Sequence, residues 1–110
     1  MAYPPYTRLI SLRLKGNSEA KTFRVAKWME QIARRVLQKG KEFQEQVEIL
    51  GPTMAPLAKI KGKCRYHMLL KGKKWSILHD FAGEVLQRAE EEISIPGVKW
   101  TVDVDPVNML

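Results

Sequence analysis

KCRYHMLLK, residues 63–71, alternates without a fault: Cys64, Tyr66, Met68 and Leu70 fall on one face of an extended chain, and Lys63, Arg65, His67, Leu69 and Lys71 on the other. Such a segment is a strand with one face against a core and the other toward water. Its neighbours must therefore supply a cover for the apolar face and leave the basic face open.

Upstream, residues 7–15 repeat the pattern, with Ile10, Leu12 and Leu14 inward and Ser11, Arg13 and Lys15 outward, before Gly16-Asn17 breaks the run. Ser18 is placed to cap a helix in which Val25, Met29, Ile32, Ala33, Val36 and Leu37 recur at helical spacing up to Gly40. The other side of that helix carries Lys27, Glu30, Gln31, Arg34 and Arg35, a mixed face that reads as solvated. A second strand is expected over about 46–50, stopped by Gly51-Pro52, and residues 56–62 read as a long loop of the kind that often carries function. Downstream of the opening strand, residues 75–92 form a second helix with Leu78, Ala82, Val85, Leu86 and Ala89 as its apolar stripe. The last strand, 98–104, turns Val98, Trp100, Val102 and Val104 inward and Lys99, Thr101 and Asp103 outward, ahead of Pro106.

Strand, helix, strand, strand, helix, strand is the order of an α+β split β-α-β sandwich, a four-stranded sheet with two helices on one face. If the helices take the apolar face, the other face presents Arg13, Lys15, Lys63, Arg65, His67, Lys71 and Lys99 as one basic surface. RNA-recognition domains of this order stack bases on outward aromatics of their central strands. Here Tyr66 and Trp100 fall on the inward phase and read as core.

Charge sharpens this. The 110 residues carry 19 Lys plus Arg against 12 Asp plus Glu, a formal net of +7. No acid occurs from Ile49 to His79, a window that holds Lys59, Lys61, Lys63, Arg65, Lys71, Lys73 and Lys74, so outside it 12 cations face 12 acids. A segment that holds the whole excess suits an anionic partner, a nucleic acid or an acidic peptide. The length suits about one domain with its own core. No apolar run approaches the roughly 18 residues that span a bilayer, and Cys64 has no partner for a disulfide or a metal site, which fits a reducing cytoplasm. No phosphate-binding loop, nucleophile elbow, HExxH or CxxC motif is present, so neither catalytic residues nor a metal site are expected. Asp103 and Asp105 suit turn-forming and salt-linking roles better than a metal. Lys73, Lys74, Trp75 and His79 gather at the start of the second helix, where a helix N-terminus and an aromatic could receive an acidic, aromatic-bearing peptide.

Three stretches, YPPYTRLISLRLKGNSEAK, ILGPTMAPLAKIKGKCRYHMLLKG and VKWTVDVDPVNML, resemble in order and spacing the C-terminal domain of the primosomal protein N′ family of replication restart DNA helicases. The family pattern runs YPPF.RL, LGP.PAP...L.G.YR...LLKG and V.VDVDP. This chain departs from it at Tyr6, Thr53-Met54 and Cys64. The resemblance implies a fold similar to a small-subunit ribosomal protein, within a longer ATP-dependent 3′ to 5′ helicase whose ATP, magnesium and zinc sites lie elsewhere. This chain would then be one domain, residues 1–110, with no cofactor and no catalysis of its own. Met1-Ala2 reads as a cloning start and residues 107–110 as a native end. The resemblance further implies forked or single-stranded DNA, the acidic tail of single-stranded DNA-binding protein, the helicase lobes of the same chain and other primosome proteins as partners, in a bacterial cytoplasm away from membranes. The DNA-binding set is then Lys59, Lys61, Lys63, Arg65, Lys71, Arg13 and Lys15, and the docking set Lys73, Lys74, Trp75 and His79. An RNA-binding or ribosome-assembly domain of the same fold is the alternative.

Overall fold

The computed structural model describes residues 8–60 and 63–104, with the side chains of 55–60 set aside. The elements run β1 (Arg8–Gly16), α1 (Glu19–Lys39), α2 (Lys41–Gln46), β2 (Val47–Ile60), β3 (Lys63–Gly72), α3 (Trp75–Glu92) and β4 (Val98–Val104). The sheet order is β2-β3-β1-β4, and all three pairings are antiparallel. Strands β1 and β2 therefore flank β3, and β3 and β4 flank β1. Each β-α-β unit leaves a gap that a strand of the other fills, which is the split β-α-β, ferredoxin-like arrangement expected from the order of elements.

The alternation in β1 and β3 does what its chemistry requires. Ile10, Leu12, Leu14, Met68 and Leu70 are at most 1% exposed. Against them pack Val25, Met29, Ile32 and Val36 of α1 and Leu78, Phe81 and Val85 of α3. A buried leucine of this kind contributes roughly 1.5–3 kcal/mol by leaving water. Tyr66 belongs to the same core, as its phase indicated, and burial pushes its phenol pKa up.

Local signals set the start of α1. The Ser18 side chain accepts a hydrogen bond from the Lys21 backbone N–H at 3.2 Å, and the Thr22 hydroxyl donates to the Ser18 carbonyl at 2.6 Å. That buried Thr22 hydroxyl fills the space a Cβ at Gly16 would need, so the turn from β1 into α1 requires glycine. At the other end Gly40 is extended, with φ −133°, and leads straight into α2.

Three expectations need correction. The stop at Gly51-Pro52 and the loop over 56–62 are not seen: β2 continues to Ile60, and residues 61–62 lie outside the described residues. The strand absorbs its irregular sequence in two register shifts, between Leu50 and Thr53 and between Met54 and Lys59. Gly51, at φ +97°, makes the first possible, because a Cβ there would approach the His67 carbonyl to 3.0 Å. Second, α2 has no counterpart in the sequence reading; its anchor is Phe43, edge-on to Phe81 with ring centroids 5.3 Å apart. Third, Val102 and Val104 point to the helical side but stay 40% and 49% exposed, because the described helices cover edge strand β4 only at its Val98–Trp100 end.

Candidate nucleic-acid interface

Residues paired across antiparallel strands share a face, so the register lays out the helix-free side of the sheet as rows. One row joins Arg65, Lys15 and Lys99 on β3, β1 and β4. The next joins Thr53, His67, Arg13 and Thr101, and the third Leu50, Leu69, Ser11 and Asp103. A fourth holds Glu48, Lys71 and Leu9, while Lys63 lies beyond the first row.

The rows differ in charge. Among the described residues, no acid stands in the Arg65–Lys15–Lys99 row, and none of its three cations has an ion pair. The Arg65 Nε is buried without a hydrogen-bond partner. With strands about 4.8 Å apart, the row sets the backbone positions of three cationic residues within about 10 Å. Arg13 differs, because Asp103 from β4 reaches its guanidinium at 2.8 Å. Lys71 is opposite Glu48 in the register. The stretch that is free of acid in sequence is thus not free of it in space: β2 and β4 bring carboxylates to one end of the face and leave the other end cationic.

Between the charges the face is concave. A trough of about 670 Å³ is lined by Arg13, Lys15, Arg65, His67 and Lys99, with the small Ser11 side chain, 5% exposed, among its lining residues. His67 is held by a 3.1 Å hydrogen bond between its Nε2 and the Thr53 hydroxyl. The aromatic of Phe, Tyr or Trp type among the trough's lining residues, Tyr66, is 7% exposed and shares the core side with Leu14, so the trough offers charge and hydrogen bonds without a stacking platform.

The two groups of residues singled out in the sequence come to different places. Lys15, Arg65 and Lys63 gather at the cationic end, joined by Lys99, which the DNA-binding set omitted. Arg13 lies in the next row, tied to Asp103, and Lys71 lies about 20 Å from Arg65 along β3. Lys59 pairs in register with Cys64, and Lys61 lies outside the described residues. Lys73, Lys74, Trp75 and His79 cluster beyond the far end of β3, at the start of α3. All four are exposed, the Trp75 and His79 rings are 6.2 Å apart, and α3 has neither a side-chain cap nor an acid in its first turn. His67–Thr53 and Arg13–Asp103 could not be found in sequence, because neither pair exists until the register is set.

A family profile described as the primosomal protein N C-terminal domain matches residues 1–107. The chain belongs to this family. Among curated relatives, the replication restart protein PriA of Rickettsia typhi is 34% identical over 104 residues, covering 94% of this chain and 14% of the relative. The PriA of Thermotoga maritima is 27% identical over 106 residues, 96% of this chain and 12% of the relative. The chain thus spans about one-seventh of the length of the curated relatives it matches. A designed protein with a ferredoxin fold superposes with a TM-score of 0.57 at 18% identity, over 89% of this chain and 83% of that one, a likeness of fold alone. Both of these curated relatives are named as replication restart proteins. Among the described residues of this chain no helix is long and apolar enough to cross a membrane, and no group of three metal-ligating side chains converges.

Proposed function

We propose that this chain is a DNA-contacting accessory domain of a replication restart protein, and that its open sheet face grips the sugar-phosphate backbone of a single strand or fork arm without reading bases. The observation that carries the proposal is the Arg65–Lys15–Lys99 row, three cations from three strands with no described counter-ion. Cations held together without an acid are stabilised by an external anion, and a strand of phosphates supplies several at once. The lack of outward aromatics on the described strands favours phosphate contact over base stacking and so favours DNA accessory binding over an RNA-reading role. Catalysis, with its ATP, magnesium and zinc, is assigned to the rest of the longer protein, in the bacterial cytoplasm.

The test is a salt titration of the 110-residue chain with fluorescein-labelled single strands of several sequences. With about three to five phosphates neutralised, log K should fall against log salt with a slope of roughly −2 to −3.5, at about 0.7 per phosphate. All sequences should bind within about twofold of one another. Failure to bind at about 50 mM salt, or a preference of tenfold or more for one sequence, contradicts the proposal.

A second contact rests on a separate observation. The uncapped, basic start of α3, with Trp75 37% exposed beside His79, suits an acidic peptide that ends in an aromatic, as the tail of single-stranded DNA-binding protein would. Chemical-shift mapping with such a peptide should move Lys73, Lys74 and Trp75. Shifts confined to Glu90–Glu92 would exclude this site.

A further inference from the structure

The two edges of the sheet are built differently. Edge strand β2 is interrupted by two register shifts and carries Pro52 and Pro56, devices that discourage another strand from pairing with it. Edge strand β4 has none of these. Its seven residues, VKWTVDV, pair with β1 in unbroken register and contain neither proline nor glycine. Toward the helical side it shows Trp100, half-buried, and the exposed Val102 and Val104. A straight edge that no described strand pairs with, and that shows exposed apolar side chains, is a template for strand addition.

The sequence of β4 says what adds to it. Turned about Thr101 and laid antiparallel on itself, Val98 meets Val104 of a second copy, Lys99 meets Asp103, Trp100 meets Val102, and Thr101 meets its own equivalent. Every charge meets its opposite and every apolar residue an apolar one. The pairing is consistent in geometry as well. Odd residues pair with odd and even with even, so whichever set directs its N–H and C=O groups away from β1 finds the matching set on the copy. Directly opposed residues share a face, so Lys99 and Asp103 pair on the open side and the valines and tryptophans on the helical side. We propose that β4 is a self-association edge, at which two copies of this chain join through antiparallel β4 strands into a two-fold symmetric, continuous eight-stranded sheet. The interface is isologous, so each Lys99–Asp103 pair occurs twice. Asp103 is already half engaged by Arg13, and in the dimer it receives a second cation without losing the first. The inference does not rest on nucleic-acid binding, but it bears on it: in the dimer the copy's Asp103 faces Lys99, one of the three cations of the open-face row, and the two troughs lie on one side of one sheet.

The experiment is sedimentation equilibrium of the 110-residue chain, alone and as two charge variants, Lys99→Asp and Asp103→Lys. Both positions are on the open face, so circular dichroism should show that each variant keeps its fold. The wild-type chain should show a concentration-dependent dimer. Each variant alone sets like charges opposite each other twice, and its dimer dissociation constant should rise at least about tenfold. An equimolar mixture of the two variants restores opposite charges at both contacts and should recover the dimer. A wild-type chain that stays monomeric to about 1 mM, variants that dimerise as well as wild type, or a mixture that fails to recover each overturn the proposal.

Discussion

The Lys27, Arg34 and Arg35 flank of α1 and the Arg65, Lys15 and Lys99 row of the sheet carry three cations each and treat them in opposite ways. On α1, the Glu30 carboxylate takes Lys27 and Arg34 at 3.0 Å each, and Arg35 reaches Glu92 of α3 at 2.6 Å. Hydrogen bonds from Lys27 and then Arg34 hold the Glu30 carboxyl below its usual range, and the bond from Arg35 does the same for Glu92. On the sheet, Lys15, Arg65 and Lys99 have no described acid in their row. The difference teaches that a count of positive residues does not locate an anion site. What matters is whether the fold has already supplied the counter-ions. For Lys27, Arg34 and Arg35 it has, and those pairs contribute helix stability and a link between α1 and α3. On the cationic end of the sheet the opposing charge has to come from outside.

The comparison breaks most sharply if the open face is given a counter-ion of its own. Lys15→Glu puts a carboxylate between Arg65 and Lys99, as Glu30 lies between Lys27 and Arg34. Anisotropy titrations at fixed salt should show single-strand affinity falling by about tenfold or more, from one lost phosphate contact and one new repulsion. The reverse operation is milder. Asp103→Asn releases Arg13 into the trough and should raise affinity about two- to fivefold in the same titration, with a steeper salt slope. Glu30→Gln releases two cations on the helix flank, away from the open face of the sheet. DNA affinity should change by less than about twofold.

The cost of Glu30→Gln should appear in stability instead. Two surface pairs of this kind are worth about 0.5 kcal/mol, or a Tm lower by about 2–4 °C near pH 7. The pH dependence follows from the direction of the shift. A carboxyl whose pKa is depressed on folding contributes fully above its unfolded value, near 4.5, and loses that contribution as pH falls through the lower folded value. Thermal melts of wild type and Glu30→Gln should therefore differ at pH 7 and converge in acid below pH 4.5. A gap that widens in acid would contradict the pairing.

Much of the fold was legible because its signals are local. Alternation fixed β1 and β3, the spacing of Leu78, Val85 and Ala89 fixed α3, and Ser18 marked where α1 begins. The missed features depend on partners. Gly51-Pro52 is a stop signal in isolation, yet β3 supplies hydrogen bonds along one side of β2, and at a sheet edge a proline without its N–H can face solvent. The six residues of α2 carry no apolar stripe, and their position is explained by the contact of Phe43 with Phe81 and the hydrogen bond from the Gln44 side chain to the Gln38 carbonyl. Alternation assigned Val102 and Val104 to the correct side but could not tell that no helix reaches them. The candidate site was half legible for the same reason. Periodicity gave the face of each basic residue, whereas placing Lys99 beside Lys15, and Asp103 against Arg13, required the register between strands.

The central claim is that unneutralised charge on the sheet, and not charge in general, binds DNA. It is tested most directly by two triple variants measured side by side for their salt dependence on one single-stranded oligonucleotide. Each of Lys15, Arg65 and Lys99→Ala and Lys27, Arg34 and Arg35→Ala removes three positive charges, so net charge is equal in the two. The sheet variant should lose about 2 from the magnitude of the slope, at about 0.7 per phosphate, and bind all sequences more weakly to a similar degree. The helix variant should keep a slope within about 0.5 of wild type. Equal losses in the two variants would show that only bulk charge matters, and would contradict the account.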